Sequence, residues 1–397
     1  MSARPCYDWG MRRAALTFFA IASLGLLACG DSYTSVTPND AAAPDAPASD
    51  AAAPDAAPLV CTGSLTACGT ACVDTATNGD HCGRCDHGCG GGECSGGICR
   101  PQIVRAGGAN DATFAVGPGG VFVVDGQDVV RCPLAGCKGQ PEKVVTFIQQ
   151  KPGPLVATGT DRVFFLGAPE QTTYRPNIYH CPIVGACTLQ AVDTDGLGSF
   201  SAIAAYKGEV YTWSSRGLGH ATCTAAGCGV KETLMSGAGS AMLHADDTGV
   251  YYIDNAGALM KLPVSGTAAL PVVVATGLGT GLLAPVAIRS FGGKIYVALP
   301  GDGANRGIVK VCTPTACDAK SFGNRVLGNV SDMAVDAQGL YWLDDKSKLR
   351  RCPLAGCGAA IDDVVSTLSG AENLVAYGGF LYYVTRGAAP TIWRVAE

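Results

Sequence analysis

Short apolar and aromatic runs, each closed by Gly, Asp or Asn, recur through residues 101–397. The clearest reads Val121-Phe122-Val123-Val124, and its equivalents stand at 163–166, 210–213, 250–253, 295–297, 340–343 and 381–384. Their first residues lie 42, 47, 40, 45, 45 and 41 positions apart, so the chain carries an internal repeat of seven copies. Within a copy, a short apolar run such as Met333-Ala334-Val335 comes first, and a tight turn such as Gly292-Gly293 or Gly378-Gly379 leads into the aromatic run. A second turn, Asp125-Gly126 in the first copy, precedes a third run, and a further apolar run such as 272–274 closes the unit. Runs this short, rich in Val, Ile, Tyr and Trp and punctuated by turn residues, predict strands rather than helices. Four strands in about 43 residues is the size of one β-propeller blade. The pattern therefore predicts an all-β fold over 101–397, a seven-bladed β-propeller, with six and eight blades as the alternative counts. The seventh copy ends after Thr391-Ile392-Trp393-Arg394-Val395 without a fourth run, and Ile103-Val104-Arg105 stands unclaimed before the first copy. Pairing that segment into the last blade would close the ring and cover strand edges.

Ten of the 20 cysteines fall at one place in this repeat, between the third and fourth strands. The pairs are Cys132/Cys137, Cys181/Cys187, Cys223/Cys228, Cys312/Cys317 and Cys352/Cys357, two of them within the same hexapeptide Cys-Pro-Leu-Ala-Gly-Cys. A loop of this length brings two Cβ atoms into disulfide range, and closing it stabilises by about 2 kcal/mol in the chain-entropy account. Zinc is the competing reading, but four intervening residues is a poor zinc spacing, and ligands from other blades would be needed. Residues 60–100 hold eight more cysteines, Cys61, Cys68, Cys72, Cys82, Cys85, Cys89, Cys94 and Cys99, among many glycines. Such a composition builds no apolar core, so disulfides are expected to hold this small module, with pairing left open among 105 possibilities. Cys82-x2-Cys85 with His81 and His87 leaves a zinc alternative there.

The run Cys68-Gly69-Thr70-Ala71-Cys72-Val73-Asp74, with His81-Cys82-Gly83-Arg84-Cys85 after it, resembles small modules of myxobacterial surface proteins. Ahead of it, Arg12-Arg13 precedes the apolar run 14–27, too short to span a bilayer comfortably and built like a secretory signal. That run ends in Leu26-Leu27-Ala28-Cys29, which resembles the lipobox of bacterial lipoproteins. The resemblance implies removal of residues 1–28, lipid on Cys29 and a place in the cell envelope, at the outer membrane. An ordinary signal peptide is the alternative, Arg12-Arg13 also admits twin-arginine export, and Met11 is an alternative start. Residues 29–59 repeat Ala-Ala-Pro-Asp-Ala and have nothing to bury, so a disordered tether is expected between anchor and module. On this count ten cysteines pair in the propeller, eight in the module, Cys29 takes lipid and Cys6 leaves with the signal, so no thiol remains for catalysis.

Charge and motifs narrow the function further. The net charge is −5 with 48% hydrophobic residues and no basic stripe, which argues against nucleic acid as a partner. No nucleophile elbow, zincin helix or phosphate loop occurs, so no catalytic residue, metal ligand or cofactor is assigned. Gly277-x-Gly279-x-Gly281 reads as a loop between blades, and Asp193-x-Asp195-Gly196 as a turn that lacks the rest of a calcium loop. Of the five histidines, His180 and His220 read as strand residues ahead of their cysteine pairs, while His244, on an inner strand, is the one that would face a central channel. One constellation is a candidate binding face. Loops joining second to third strands share a face of the propeller with the loops between blades, and they carry Tyr174, Arg175, Arg216, Arg306, Lys346 and Arg386. Guanidinium forks suit carboxylates, so this face would hold an acidic glycan, a polymer or an acidic protein segment.

Three readings compete: a lipid-anchored surface scaffold binding a protein or glycan through a propeller face, a propeller hydrolase or lyase with a channel site, and a structural coat component. The repeats resemble Tyr-Trp-Thr-Asp propellers, with Tyr341-Trp342-Leu343-Asp344 as the nearest match, and Thr is absent. The enzyme reading would draw on His244, Asp193 and Asp195. Fold alone does not choose among them.

Overall fold

The protein was analysed as a computed structural model, which describes residues 59–397 apart from 108–112, 147–154, 158–160, 168–176, 184, 186, 188–189, 193–199, 215–216, 225–226, 230–231, 237–241, 264–269, 282–283, 302–306, 323–327, 346, 358–360 and 388. Past residue 101 the chain forms consecutive antiparallel sheets, each running outward from its first strand, and together they make a β-propeller. The innermost strands are Phe114–Gly117, Leu155–Ala157, Phe200–Tyr206, Leu243–Ala245, Ala287–Phe291, Val330–Val335 and Ala371–Tyr377. Each lies beside the next in chain order, and the last lies beside the first.

The second strands explain the continuous apolar runs. A strand inside a blade is covered on both faces by neighbouring blades, so alternation disappears. Leu340, Tyr341, Trp342 and Leu343 are each 0% exposed. Tyr341 and Leu343 pack towards the Ala371 sheet, and Leu340 and Trp342 towards the Ala287 sheet. Burying an aromatic side chain in this way contributes about 3 kcal/mol or more. The turn into the second strand of the Phe114 sheet needs glycine. Gly120 has φ +127°, and a Cβ there would stand 2.3 Å from the Cys132 carbonyl oxygen.

Closure is direct. The strand Gln102–Ala106 pairs with Thr391–Ala396 and completes the Ala371 sheet from the other end of the repeat array. Val104 then packs with Phe114, Val121, Tyr382 and Ile392 in a core shared by the first and last sheets. The hairpin of the Cys132–Cys137 disulfide tucks against this strand, where the Cys137 amide donates to the Val104 carbonyl at 2.8 Å.

The expectation of seven four-stranded blades needs correction. Six units are four-stranded, and the remaining one, led by Phe200–Tyr206, is a five-stranded sheet. Its third strand, Gly217–Thr224, runs on past the register of the others and pairs twice. Residues 217–220 pair with Glu232–Ser236, and Cys223 and Thr224 pair with the short strand Gly227–Cys228. The disulfide hairpin has here become a strand pair of its own.

The cysteine-rich segment has only four strands of two or three residues, in two small hairpins. Its disulfides join Cys61–Cys72, Cys68–Cys85, Cys82–Cys94 and Cys89–Cys99. In the propeller the bonds are Cys132–Cys137, Cys181–Cys187, Cys223–Cys228, Cys312–Cys317 and Cys352–Cys357. Among the described residues no helix is long and apolar enough to cross a membrane.

Candidate functional site

The upper ends of the innermost strands build a polar arc across four consecutive sheets. It starts at His244, whose Nε2 lies 2.8 Å from the Ser290 hydroxyl on the next sheet. Burial, followed by the nearby Arg289 charge, pushes the His244 ring down to about 4, so it is neutral near pH 7. Beside Ser290, Arg289 donates from Nη2 to Asp332 Oδ1 at 3.1 Å and from Nη1 to its neighbour's carbonyl at Ile288. Asp332 stands on the following sheet, and burial raises its pKa against the opposing pull of Arg289 and two backbone amides. Those amides are Met333, at 2.7 Å, and Leu374 on the last sheet, at 2.8 Å.

The Leu374 contact shapes the last innermost strand. Its register with the second strand shifts between Glu372 and Val375, and Asn373 takes a left-handed φ of +56°. Bulges of this kind re-aim side chains and gather at sites, and Asn tolerates the conformation better than most residues. Val286, Arg289, Ser331, Asp332, Glu372 and Asn373 surround a cavity of about 320 Å³ at this mouth. Arg386 reaches the rim and pairs with Glu372.

Of the residues expected to form the arginine face, Arg386 is the one the structure places, and its carboxylate partner balances its charge. Tyr174, Arg175, Arg216, Arg306 and Lys346 lie outside the described residues, as do Asp193, Asp195 and the lipid-site Cys29. His244 contacts Ser290, and among the described residues no grouping of potential metal ligands includes it. Among the described residues, the groupings of potential ligands are Cys82, Cys89 and Cys99, and His180, Cys223 and Cys228, whose cysteines are all in disulfides. Sequence reading missed Arg289, Asp332, Glu372 and Asn373. Each sits in or beside an apolar inner run; Arg289 and Asp332 gain their roles from neighbouring sheets, while Glu372 pairs with Arg386 of its own sheet.

A second concavity, about 610 Å³, lies between the cysteine-rich segment and the last two sheets. Some of the polar groups in and around it join the two parts. The His87 ring contacts the Cys82 carbonyl through Nδ1 and the Glu397 backbone oxygen through Nε2. Arg351 pairs with Asp362 at 3.4 Å. Arg394, 7% exposed, donates to Gly90 O, Leu134 O and Gln102 Oε1 and lies over the Phe380 ring. Burial, then the neighbouring Asp336, raises the Glu397 carboxyl to about 8. These contacts stand at the Tyr377 end of the last innermost strand, where Glu397 N donates to Gly379 O. The Asp332 cavity stands at the Ala371 end, on the opposite face.

No family model matches the sequence, and no curated protein matches it. Solved structures similar to this chain are propellers. YCF48 bound to D1 peptide aligns at TM-score 0.53 with 12% identity, over 75% of this chain and 96% of that one. The Pan2 WD40 domain of Neurospora crassa aligns at 0.52 with 9% identity, over 72% and 89%. The nidogen/laminin complex aligns at 0.40 with 14% identity, over 59% and 89%, an extent that does not separate one propeller family from another. These likenesses show the fold and nothing finer.

Proposed function

We propose that this protein is a lipid-anchored binding protein of the cell envelope that presents the mouth of its propeller channel to a glycan. The observation that carries this reading is the set of groups around the cavity, which opens at the Ala371 end of the blades. Alternating guanidinium and carboxylate groups around a cavity of about 320 Å³ match the donors and acceptors of sugar hydroxyls. Because Glu372 and Asp332 offset Arg386 and Arg289, a neutral sugar fits this mouth better than a polyanion.

The test is a glycan array probed with the full chain, alongside Asn373→Ala and Arg386→Ala. Retention of a neutral glycan by the wild type, with loss in both variants, supports the reading. Retention of acidic glycans alone, or binding untouched by either change, overturns it, and capture of a peptide instead would transfer the site to a protein partner. Labelling with a radioactive fatty acid tests the anchor, and Cys29→Ala should abolish it.

A further inference from the structure

His244 has a hydroxyl partner from another sheet that no sequence motif pairs with it. It stands on the innermost strand Leu243–Ala245, and Ser290 stands on the next one, Ala287–Phe291. Successive side chains of a strand point to opposite faces. On the Ala287 strand, Arg289 therefore turns to Asp332 on the following sheet while Ser290 turns back to His244 on the preceding one. The two side chains meet across the gap between sheets, with Nε2 and Oγ 2.8 Å apart, inside hydrogen-bond range. Both residues are half-buried, so the pair is packed without being sealed from solvent.

The surroundings give this contact chemical content. The ring is neutral near pH 7, so it can take a proton. Among the described residues the contact with Ser290 is the ring's one hydrogen bond. The tautomer with its proton on Nδ1 is therefore open to it, and in that tautomer Ser290 donates and Nε2 accepts. Arg289 has five N–H groups, and among the described residues two are bound, to Asp332 and to the Ile288 carbonyl. Its charge reaches the ring, since it helps to hold His244 down at about 4.

A hydroxyl held against a neutral imidazole is an activated nucleophile with its base. We propose that Ser290 and His244 form a nucleophile–base dyad that hydrolyses a carboxylic ester small enough to enter the propeller channel. Ser290 Oγ bonds to the ester carbonyl carbon and gives its proton to His244 Nε2, while the carbonyl electron pair moves onto oxygen. That oxyanion forms in the field of Arg289. As it collapses, the bond to the alcohol oxygen breaks and the departing alkoxide takes the proton from His244. Water then attacks the acyl group on Ser290 and gives a proton to His244, which returns it to Ser290 Oγ as the carboxylic acid leaves. One water is consumed and one ester is split. Among the described residues no carboxylate bonds to Nδ1, so the imidazolium is not held as it is in a triad. An ester, whose alkoxide leaves more readily than an amine, is the acyl donor that suits such a pair.

The test is labelling of the full chain with diisopropyl fluorophosphate and mass mapping of the modified residues, beside hydrolysis of p-nitrophenyl butyrate. Ser290 is expected to be labelled about 100-fold faster than the other serines, and ester turnover should vanish in Ser290→Ala. His244→Gln should slow both reactions by about 100-fold. In the wild type both rates should be level from about pH 6 to about 8 and fall to half near 4, as His244 takes up a proton under the opposed influence of Arg289 and Asp246. That profile tests the base even where the variant does not fold. Labelling of Ser290 no faster than of other serines, or turnover that survives Ser290→Ala, overturns the proposal. Labelling without turnover overturns the hydrolase, and rates level down to about pH 3 remove His244 as the base. Neither readout involves a glycan, so the outcome is separate from recognition at the mouth.

Discussion

The cysteine-rich segment and the blades bury their interiors by different means. A blade does it with side-chain area, as in the second strand Leu340–Asp344, whose first four residues are wholly buried. Its disulfide closes a loop of six residues and contributes about 2 kcal/mol. The segment at 59–100 has almost no apolar interior apart from sulfur, since its buried hydrophobic residues are Cys68, Cys82, Cys89 and Cys99. Three of those, Cys82, Cys89 and Cys99, belong to one core with Tyr341, Leu343, Tyr383 and Val395 of the propeller. The segment is therefore stapled internally but completed by its neighbour. Small domains that cannot bury enough surface rely on such covalent bonds, and this one also borrows a floor.

The largest effect should come from removing a blade's side-chain area. Trp342→Ala empties the core between the Ala287 and Val330 sheets, and the expected loss is about 3–5 kcal/mol. Chemical denaturation followed by tryptophan fluorescence or circular dichroism would measure it, with far-ultraviolet signal kept in the folded baseline. A loss below about 1 kcal/mol would mean that the covalent bonds rather than packing dominate the blades as well.

The next effect bears on the shared floor and is a pH dependence. The Glu397 carboxyl sits at about 8 in the folded protein against an ordinary value of 4.5. A group whose folded value is raised keeps its proton in the folded state while the unfolded chain has lost it. Stability is therefore lost as pH rises from about 4.5 to about 8, by at most about 1.4 kcal/mol per pH unit. His180 and His244 act in the other direction. Burial lowers both to about 4, so their contribution is present above 6.5 and lost as pH falls towards 4. From about pH 7.5 to 8, where the unfolded histidines have also lost their protons, Glu397 is the one of these three groups whose folded and unfolded protonation still differ. Melting temperature should fall across that window in the wild type and stay level in Glu397→Gln. A level wild type would show that the seam carries no buried proton.

The seam can also be cut from the propeller side. Arg394→Met removes the hydrogen bonds to Gly90, Leu134 and Gln102 while keeping most of the side chain's packing over Phe380. Charge-assisted bonds of this kind contribute about 1.5–3 kcal/mol. Hydrogen exchange should quicken in residues 82–99 and leave the Leu155 and Leu243 sheets unchanged. Quickening everywhere would mean that the two regions unfold as one body.

The contrast also explains what the sequence disclosed. Repeat period, strand order and the closing role of residues 102–106 were legible because a propeller writes its second strand as an unbroken apolar run. The Phe200 sheet escaped a simple count because its extra pairing depends on how far Gly217–Thr224 extends, which no turn residue marks. The channel mouth was less legible. Arg386 was visible as a loop arginine, but Asp332 looks like an ordinary polar residue before an apolar strand. Its partners Arg289 and Leu374 lie 43 and 42 residues away, one repeat to either side. The seam was invisible for a similar reason, since Gly90 and Arg394 are 304 residues apart.

The smallest expected effect separates binding from stability. Arg386 and Glu372 form a rim pair whose side chains are 40% and 25% exposed. Exposed pairs contribute about 0–1 kcal/mol, and less as salt rises. Arg386→Ala should therefore move the melting temperature by no more than about 2 °C in a chain of this size. Whatever it changes in ligand retention would then belong to recognition rather than to folding. It would also leave Glu372 without its rim cation and the mouth more negative. An acidic ligand would be weakened more than a neutral one, and a neutral sugar would lose mainly the hydrogen bonds that the guanidinium gave. A large fall in melting temperature would instead place Arg386 among the groups that hold the last blade closed. The mouth, like the seam, would then be a structural joint.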